Sequence, residues 1–359
     1  MAWVTQFMDG FDHYTSADIS AKWEANDMGA TISTVLFRTT GQSLQISGAA
    51  LYQIPKRLSA AAQNIVMGFG LRMNSSPSGT TMDNAGAFMV LHNDVGYSAN
   101  SQFGMAIGND GHIRVGRCSA TGLNSTTNTQ LGIGTAVLTS ATWYYVEVRV
   151  YIHATAGAIE VRVNGVVDIL LTGQNTKANA TYAGAEYLHV RSMATPSWNL
   201  DDLYLRSETS TSEVTGGFLG DIKIKPYYPN GDGTYTAMTC STGTTHYTLV
   251  DEATPNTTDY VSSSTALTKD SYGFQDASET GSIKAVQVSA YCYKVDAGFR
   301  GVDVFTKSGA TEVFGTSQPL STTPKYVIKM FEQDPNTSAD WSQTNLNAAE
   351  FGVRISADL

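Results

Sequence analysis

Two glutamates on neighbouring strand-like runs are the first residues of this chain whose type and spacing could do chemistry. Glu147 lies in WYYVEVRVYI, and Glu160 lies in AIEVRVNG, one short loop further along the chain. Two carboxyl groups about 5–9.5 Å apart can cleave a glycosidic bond when one of them has a raised pKa and acts as the acid. The pair therefore raises the question of whether the chain carries a sugar-cleaving site.

The neighbours of these glutamates favour a structural role instead. Arg149 and Arg162 each follow a glutamate by two residues, and residues two apart on a strand share a face. Adjacent strands with Glu-x-Arg can pair opposite charges crosswise, which contributes about 0.2–1 kcal/mol per pair. A nearby arginine also lowers the pKa of a glutamate. We therefore predict a cross-strand salt network on a solvent face, with the alternating valines in the core, and no catalytic residue.

Adjacent aspartates in WNLDDLYL form a second acidic group. Neighbours on a regular strand point to opposite faces, so we expect that Asp201 and Asp202 do not act as a pair. One would be solvated and the other would accept backbone N–H groups. A calcium ion is the alternative, with further oxygens from Asn93 and Asp94 in LHNDVGY. Because calcium takes about 6–8 oxygen ligands, the structural role is favoured and the calcium alternative stays open.

Histidines, nucleophiles and aromatic residues supply no further catalytic motif. The histidines are His13, His92, His112, His153, His189 and His246. They form no His-x-His or His-x-x-x-His pair, and no Gly-x-Ser-x-Gly elbow occurs, so we predict no metal ion and no cofactor. Tyr97, Tyr182 and Tyr187 lie at the ends of predicted loops and could stack on sugar rings, although packing is the expected role of any single tyrosine.

The composition excludes classes of partner. The chain of 359 residues has a net charge of -10 and a pI near 5.0. A negative surface repels phosphate backbones, so we expect no nucleic-acid partner. The three cysteines, Cys118, Cys240 and Cys292, form no Cys-x-x-Cys motif, which predicts buried thiols rather than disulfides or zinc ligands.

The N-terminal segment and the apolar runs can be compared with the patterns of signal peptides and of membrane-spanning helices. MAWVTQFMDGFDHY has neither a basic start nor an apolar stretch, so we expect no signal peptide. The longest apolar runs, such as VVDILL, are far shorter than the roughly 20 residues of a membrane-spanning helix. We therefore expect no insertion into a membrane.

Strand signals dominate the chain. Runs such as STVLFRTT, QNIVMGFGLRM, GAFMVLHND and WYYVEVRVYI are bounded by Gly, Asn, Asp or Ser. Asn109-Asp110-Gly111 and Asn164-Gly165 predict tight hairpin turns, because these residues tolerate positive φ. No run predicts a long helix, so the predicted fold class is all-β, with antiparallel sheets packed as a sandwich.

A segment rich in proline and glycine divides the chain. The residues from Pro226 to Gly233 lie in PYYPNGDG, a composition that breaks regular structure. It predicts two domains, 1–227 and 228–359, each a β-sandwich with apolar strands of its own. We therefore expect each half to fold alone.

Several phrases resemble one protein family. WYYVEVRVYI followed by IEVRVNGV resembles the central hairpin of laminin-G-like, concanavalin-A-like jelly rolls, and WNLDDLYL resembles their closing strand. FMDGFDHY and SAKWEA resemble the start of a version common in tailed bacteriophages. FLGDIKIKPYYPNGDGTY, LVDEATPNTTDYV and WSQTNLNAAEFGVRIS resemble the C-terminal module of the same phage proteins. The resemblance covers most of the chain and implies a jelly roll followed by a smaller β-sandwich.

This resemblance implies a virion structural protein of the tail, the baseplate or a head appendage, made in the host cytoplasm. We expect its partners to be other virion proteins and further copies of itself in a homo-oligomer, with a glycan of the host surface as a possible further partner. Glucanases of this fold use Glu-x-Asp-x-x-Glu, which is absent here, so we predict that the protein is not an enzyme. The alternatives are a head decoration protein without a ligand and a tail-borne glycan-degrading enzyme.

Overall fold

The chain forms two compact units, Met1–Ile224 and Lys225–Leu359. The structure is a computed structural model that describes residues 3–27, 29–39, 41–47, 53–79, 86–95, 101–118, 128–193 and 197–356. Almost all of its regular structure is β, as the sequence predicts. The boundary expected from sequence, after residue 227, lies close to the division between the units.

The first unit is a jelly-roll sandwich of two antiparallel sheets. Its strands are β1 (Val4–Asp9), β2 (Thr31–Ser33), β3 (Ser43–Ile46), β4 (Gln53–Ala62), β5 (Asn64–Met73), β6 (Met89–His92), β7 (Ser101–Ile107), β8 (His112–Arg117), β9 (Thr129–Val137), β10 (Trp143–Tyr151), β11 (Gly157–Val163), β12 (Val166–Gln174), β13 (Ala185–Arg191) and β14 (Trp198–Glu208). Eight strands form one sheet in the order β12-β11-β10-β5-β14-β3-β2, with β1 paired to β14. Six form the other, in the order β4-β13-β6-β7-β8-β9.

Hairpin turns join consecutive strands where the sequence predicts them. Asn164 and Gly165, with φ of 49° and 81°, form the two-residue turn between β11 and β12. Gly111, with φ of 79°, closes the turn between β7 and β8. Only glycine and asparagine adopt these backbone angles at little cost. The turns therefore fix which strands become neighbours.

The valine face of β10 lies in the core of the sandwich. Val146, Val148 and Val150 are fully buried, as the alternating pattern predicts. Phe88, just before β6, packs edge-on against Trp198 of β14 with ring centroids 5.1 Å apart. This contact joins the two sheets, because the two residues belong to opposite layers.

The opposite face of β10 is buried as well, which corrects the prediction of a solvent face. Glu147 and Arg149 are only 2% and 4% exposed. Residues 209–224, which we call the strap, cross this face: Gly220 N donates to the Glu147 carboxylate and Arg149 binds Glu213. The sheet is therefore covered on both sides along this strand.

STVLFRTT does not form the strand that its composition predicts. β2 ends at Ser33, and the Ser33 hydroxyl accepts a hydrogen bond from Leu36 N at 3.1 Å. The Ser43 hydroxyl donates to the Leu36 carbonyl. These bonds turn the chain out of the sheet, and the turn carries Arg38 to the aspartates of β14.

The second unit is a smaller β-structure. Its strands are β15 (Pro229–Thr236), β16 (Thr239–Cys240), β17 (Val261–Ser262), β18 (Lys269–Phe274), β19 (Val286–Cys292), β20 (Gly301–Ser308), β21 (Thr311–Phe314), β22 (Gln318–Pro319), β23 (Lys325–Phe331), β24 (Gln333–Asp334), β25 (Ala339–Asp340) and β26 (Glu350–Ile355). A six-stranded sheet runs β15-β18-β26-β20-β21, with β22 paired to β20, and a two-stranded sheet of β19 and β23 packs on it. Val302 and Val304 meet Val327 in the core between them.

Helices are short in both units. α1 spans Ile19–Lys22 and α2 spans Gln343–Ala348, in agreement with the absence of any long helical pattern. No helix in the described part of the chain is long and apolar enough to cross a membrane. Among the described residues the cysteines form no disulfide, and Cys118 is buried while Cys240 and Cys292 are half-buried.

Candidate functional site

Glu147 and Glu160, the two carboxylates considered as an acid–base pair, belong to separate hydrogen-bond and ion-pair networks. The Glu147 carboxylate accepts hydrogen bonds from Tyr204 OH at 2.5 Å and from Gly220 N at 2.9 Å. Burial, with the charge of Glu147, raises the pKa of Tyr204 well above its ordinary value, so this hydroxyl remains a donor. Glu147 is therefore engaged in anchoring the strap.

Glu160 makes the cross-strand contacts that the sequence predicts. Arg149 stands opposite Glu160 in the register of β10 and β11, and their side chains form an ion pair at 3.5 Å. Arg162 binds the same carboxylate at 2.7 Å. The prediction was wrong for Glu147, which stands opposite Arg162 in the register but bonds Tyr204 and the strap instead.

The paired aspartates of β14 point to one partner, which corrects the expectation that they diverge. The register of β14 against β5 shifts between Asp201 and Tyr204, and Asp202 has a φ of 47°. Arg38 N donates to Asp201, and Arg38 Nε donates to Asp202, each at 2.8 Å. The β-bulge removes the alternation of a regular strand, so both carboxylates face the same arginine.

The carboxylates of Asp201 and Asp202 accept hydrogen bonds from groups of the protein itself. Burial, then the charge of Asp202, raises the pKa of Asp201. Asp202 also accepts a hydrogen bond from Ile224 N at 2.7 Å. Asn93 and Asp94, the further oxygens of the calcium alternative, follow β6 in the other sheet. Among the described residues, no group of three or more His, Cys, Asp or Glu side chains is arranged to hold a metal ion.

A different cluster lies on the six-stranded sheet, on the side that faces away from the core. Tyr187 and His189 alternate with the buried Leu188 and Val190 on β13. The register places His92 opposite Tyr187, and Ser101 opposite His92. Gln53 stands opposite Arg191, the next residue on the same side of β13. We call Gln53, His92, Ser101, Tyr187 and His189 the polar face.

Two histidines form the centre of the polar face. The rings of His92 and His189 stack with centroids 4.5 Å apart and an interplanar angle of 16°, and Tyr187 meets His189 edge-on at 6.0 Å. His189 Nε2 lies 2.9 Å from the carbonyl oxygen of Asp94. Because a carbonyl only accepts, Nε2 carries the hydrogen and Nδ1 has a free lone pair.

His189 is uncharged at neutral pH. Burial, followed by the proximity of His92, lowers the pKa of His189 to about 3. Its Nδ1 is a buried acceptor to which no described residue donates a hydrogen bond. The neutral imidazole therefore keeps an unused hydrogen-bond acceptor, while burial opposes its protonation.

Gln53 and Ser101 carry further unused hydrogen-bonding atoms. Gln53 Nε2 donates to the Val95 carbonyl at 2.7 Å, while Gln53 Oε1 and Ser101 Oγ have no partner among the described residues. A buried polar atom without a partner costs about 1–3 kcal/mol. Each of these enclosed atoms indicates a position where a buried water completes the hydrogen bonds.

The polar face runs from a buried interior to an exposed rim. Gln53, Ser101 and His189 are fully buried. At the rim, the side chain of Arg57 is 60% exposed and its guanidinium lies 5.8 Å from the Tyr187 ring centroid. Only this rim is accessible to a ligand, because both histidines are fully buried.

The sequence identified only part of this site. Tyr187 is on the polar face, Tyr182 is half-buried in the loop before β13, and Tyr97 lies outside the described residues. His92 and His189 were not predicted to meet, because they are far apart in the chain. Only the pairing of β6 with β13 brings them together, and local patterns in one sequence do not specify that pairing.

Comparisons with known proteins concern the fold. No family model and no curated protein matches the chain. The alginate lyase Aly36B is 12% identical, with a TM-score of 0.37, over 56% of this chain and 96% of that one. A carbohydrate esterase from the Shiga toxin-encoding bacteriophage phi24B is 12% identical, with a TM-score of 0.36, over 56% and 100%. The carbohydrate-binding module CBM66 from Bacillus subtilis is 7% identical, with a TM-score of 0.31, over 57% and 95%.

These matches contradict the prediction that the protein is not an enzyme. Two of the three similar structures are named as a lyase and an esterase, and we withdraw the prediction. Its basis was the absence of a glycosidase carboxylate pair, which bears only on hydrolysis by two carboxylates. Other reactions use other groups, histidine among them. At these TM-scores the matches assign no activity to this chain.

Proposed function

We propose that this chain is a virion protein of a tailed bacteriophage, in the tail, the baseplate or an appendage, whose first unit contacts a host-surface glycan. The phage origin rests on the resemblance of FMDGFDHY and of the second-unit phrases to phage proteins. The glycan contact rests on one observation, the half-buried ring of Tyr187 at the rim of the polar face with the Arg57 guanidinium over it.

Sugars fit this face by their chemistry. A sugar ring offers hydroxyl groups, which both donate and accept hydrogen bonds, and an apolar side that packs on an aromatic ring. Tyr187 at the rim supplies such a ring, with Arg57 over it. Weak single contacts would be multiplied by the number of copies on a particle.

Two measurements test this function. Mass spectrometry of purified particles should detect the chain as a stoichiometric component. The full-length protein, screened on an array of bacterial surface polysaccharides, should bind a subset of them. Tyr187→Ala should weaken that binding, and Tyr182→Ala is the matched control that should not. Absence from particles removes the virion role, whereas binding to no glycan favours a head decoration protein without a ligand.

A glycan-degrading enzyme of the particle is the second candidate. The observation in its favour is His189, a neutral imidazole to whose Nδ1 no described residue donates a hydrogen bond. Any glycan that binds should then be incubated with the protein and its chain length followed over time. Shortening by the wild type, lost in His189→Gln with the fold intact, supports the enzyme. An unchanged chain length leaves only the binding function.

A further inference from the structure

We propose that a cavity at one end of the first unit is a second glycan-binding site, which takes a single uncharged sugar residue. The cavity has a volume of about 270 Å³. It lies between the loop after β5, the β7–β8 turn and the segment that joins β9 to β10, and its lining includes Ser76, Pro77, Asn109, Asp110, Leu138 and Thr139. We call it the loop cavity. This inference goes beyond the proposed function, which places the glycan contact at the rim of the polar face.

The loop cavity and the polar face lie at opposite ends of β7. Ser101, on the polar face, is the first residue of this strand, whereas the turn that lines the loop cavity follows Ile107, the last one. A strand advances about 3.3 Å per residue, so the seven residues of β7 separate the two places by roughly 20 Å. One sugar residue cannot bridge that distance, and the two places can be tested separately.

Backbone hydrogen bonds hold the walls of the loop cavity together. Asn109 N donates to the carbonyl of Gly79 at 2.7 Å, which joins the β7–β8 turn to the loop after β5. Leu138 N donates to the carbonyl of Gly111 at 2.9 Å, which joins the same turn to the segment after β9. The cavity is therefore formed in advance, and a ligand does not have to be large to offset the entropy of ordering it.

The lining of the loop cavity has the two kinds of surface that a sugar ring offers. Pro77 and Leu138 are buried and give it an apolar base, whereas Ser76, Asn109 and Thr139 are exposed and give it a polar rim. Hydroxyl and amide groups both donate and accept hydrogen bonds, as sugar hydroxyls do. The apolar side of a sugar ring can pack on the base while its hydroxyls bond to the rim.

Asp110 supplies a fixed acceptor at the rim of the loop cavity. Its two carboxylate oxygens accept from Arg114 Nη1 at 2.8 Å and from Nη2 at 2.7 Å. The hydrogen bonds of Arg114 hold the pKa of Asp110 well below its ordinary value, so the group stays an ionised acceptor. Its side chain is 43% exposed, and its remaining lone pairs are open to a hydroxyl donor.

The same ion pair favours an uncharged ligand. The Arg114 side chain is only 6% exposed, and both of its terminal nitrogens already donate to Asp110. An anionic group would therefore meet the carboxylate first and be repelled. A cationic group gains little, because the Arg114 guanidinium offsets the charge of Asp110. A sugar residue with hydroxyl groups alone fits without either cost.

The test uses small sugars, which can occupy only one place at a time. Saturation-transfer NMR with the full-length protein is measured for the methyl glycosides of glucose, mannose, galactose and N-acetylglucosamine, and for methyl glucuronide as the anionic probe. At least one neutral glycoside should bind with a millimolar dissociation constant. The glucuronide should bind at least about tenfold more weakly than its glucose counterpart if glucose is bound. Equal binding of these two would overturn the preference for an uncharged sugar.

Substitutions place the binding in the loop cavity. Ser76→Trp fills the cavity and should abolish the NMR signal. Ser75→Trp is the matched control, because Ser75 is the exposed neighbour outside the lining, and it should leave the signal unchanged. Asn109→Ala should weaken binding about two- to tenfold, the range for one lost hydrogen bond, and provides a second test if Ser76→Trp lowers the melting temperature.

The outcomes separate this site from the polar face. Loss of the signal in Ser76→Trp, with Tyr187→Ala unchanged, supports the loop cavity even if Tyr187→Ala has no effect on polysaccharide binding, a result that would overturn only the contact at the polar face. Loss in Tyr187→Ala, with Ser76→Trp and Asn109→Ala unchanged, places the sugar at the polar face and overturns this inference. If none of the neutral glycosides binds, the loop cavity is not a sugar site.

Discussion

Among single residues, the buried Asp9 connects the parts of the N-terminal segment to one another. Its carboxylate is fully buried and accepts hydrogen bonds from Lys22 Nζ and Trp23 Nε1, both at 2.9 Å, and from Tyr14 OH at 2.7 Å. Burial alone would raise the pKa of Asp9, but the charge and hydrogen bond of Lys22 outweigh it and hold that pKa below its ordinary value. Asp9, at the end of β1, therefore binds α1 to β1 through Lys22.

Breaking this pair should strongly destabilise the first unit. Lys22→Met leaves the Asp9 charge buried without its counter-ion, and such a loss costs about 3–5 kcal/mol. Lys284→Met, at an exposed position, is the control and should change the free energy of unfolding little. Urea unfolding measures both, and equal midpoints for the two variants would contradict the role given to the pair.

Two histidines, the half-buried His13 and the fully buried His189, should make the free energy of unfolding depend on pH in the acid range. Burial, then the charge of Lys22, lowers the pKa of His13 to about 3, and burial also lowers the pKa of His189 to about 3. Below the ordinary value of 6.5, the unfolded chain takes up protons that the folded chain does not. Their contribution to stability is therefore complete above about pH 6.5 and falls as the pH drops toward 3.

The test of this dependence is a difference between two proteins, because Asp12 acts in the opposite sense. Burial raises the pKa of Asp12 to about 7, so its contribution to stability is lost as pH rises from about 4 to 7. We expect the double variant His13→Gln/His189→Gln to lose less free energy of unfolding than the wild type between pH 6.5 and 4. Parallel stability curves would refute the assignment.

Local sequence patterns predict individual strands and turns well, but they do not predict which distant segments pack against them. The valine alternation in β10 and the Asn-Gly turn after β11 are present in short stretches of sequence, and the structure has both. The bulge at Asp202 and the meeting of His92 with His189 depend on register between distant strands. The strap contains TGGFLGD, in which hydrophobic residues repeat neither every two positions, as in a strand, nor every three to four, as in a helix. The sequence therefore does not predict that the strap covers β10.

The strap should contribute strongly to the stability of the first unit. Its anchors include Asn64 Nδ2 donating to the carbonyl of Ser212, Tyr151 OH donating to that of Thr211, and Arg149 binding Glu213. Each such bond contributes about 0.5–1.5 kcal/mol, more where a charge takes part. Residues 1–208 should therefore unfold several degrees below residues 1–224 in calorimetry.

A control separates the strap's contacts from the length of the chain. In the full-length protein, residues 209–224 are replaced by a Gly/Ser segment of equal length. The first unit should then melt at the lower temperature of the 1–208 fragment. If it melts like the wild type, the strap is a passive connection and its hydrogen bonds contribute nothing to the fold.

Self-association belongs to the scale of the whole molecule. β12 is the last strand of its sheet, and Val166, Val167 and Leu170 on it are 71%, 48% and 61% exposed. A long apolar edge strand of this kind pairs readily with another chain. Sedimentation of the full-length protein should give a homo-oligomer, and Leu170→Lys should lower the mass. A wild-type monomer at high concentration would count against the homo-oligomer.

The two units should be able to fold apart and to do different work. Each has its own buried cluster, with Val146 and Val148 in the first unit and Val304 and Val327 in the second. Residues 1–224 and 225–359, expressed separately, should each melt cooperatively. Because the polar face lies in the first unit, only that fragment should retain glycan binding, at the affinity of the intact chain for a single site.

The second unit is then the expected means of attachment to the particle. Particles that lack the protein should take up residues 225–359 but not residues 1–224, as measured by co-sedimentation with the particle. If neither fragment melts cooperatively, the chain is one folding unit and the division of work fails with it. If both fragments fold and both are required for uptake, the chain is a joint within the particle, and glycan contact would then have to occur in the assembled state.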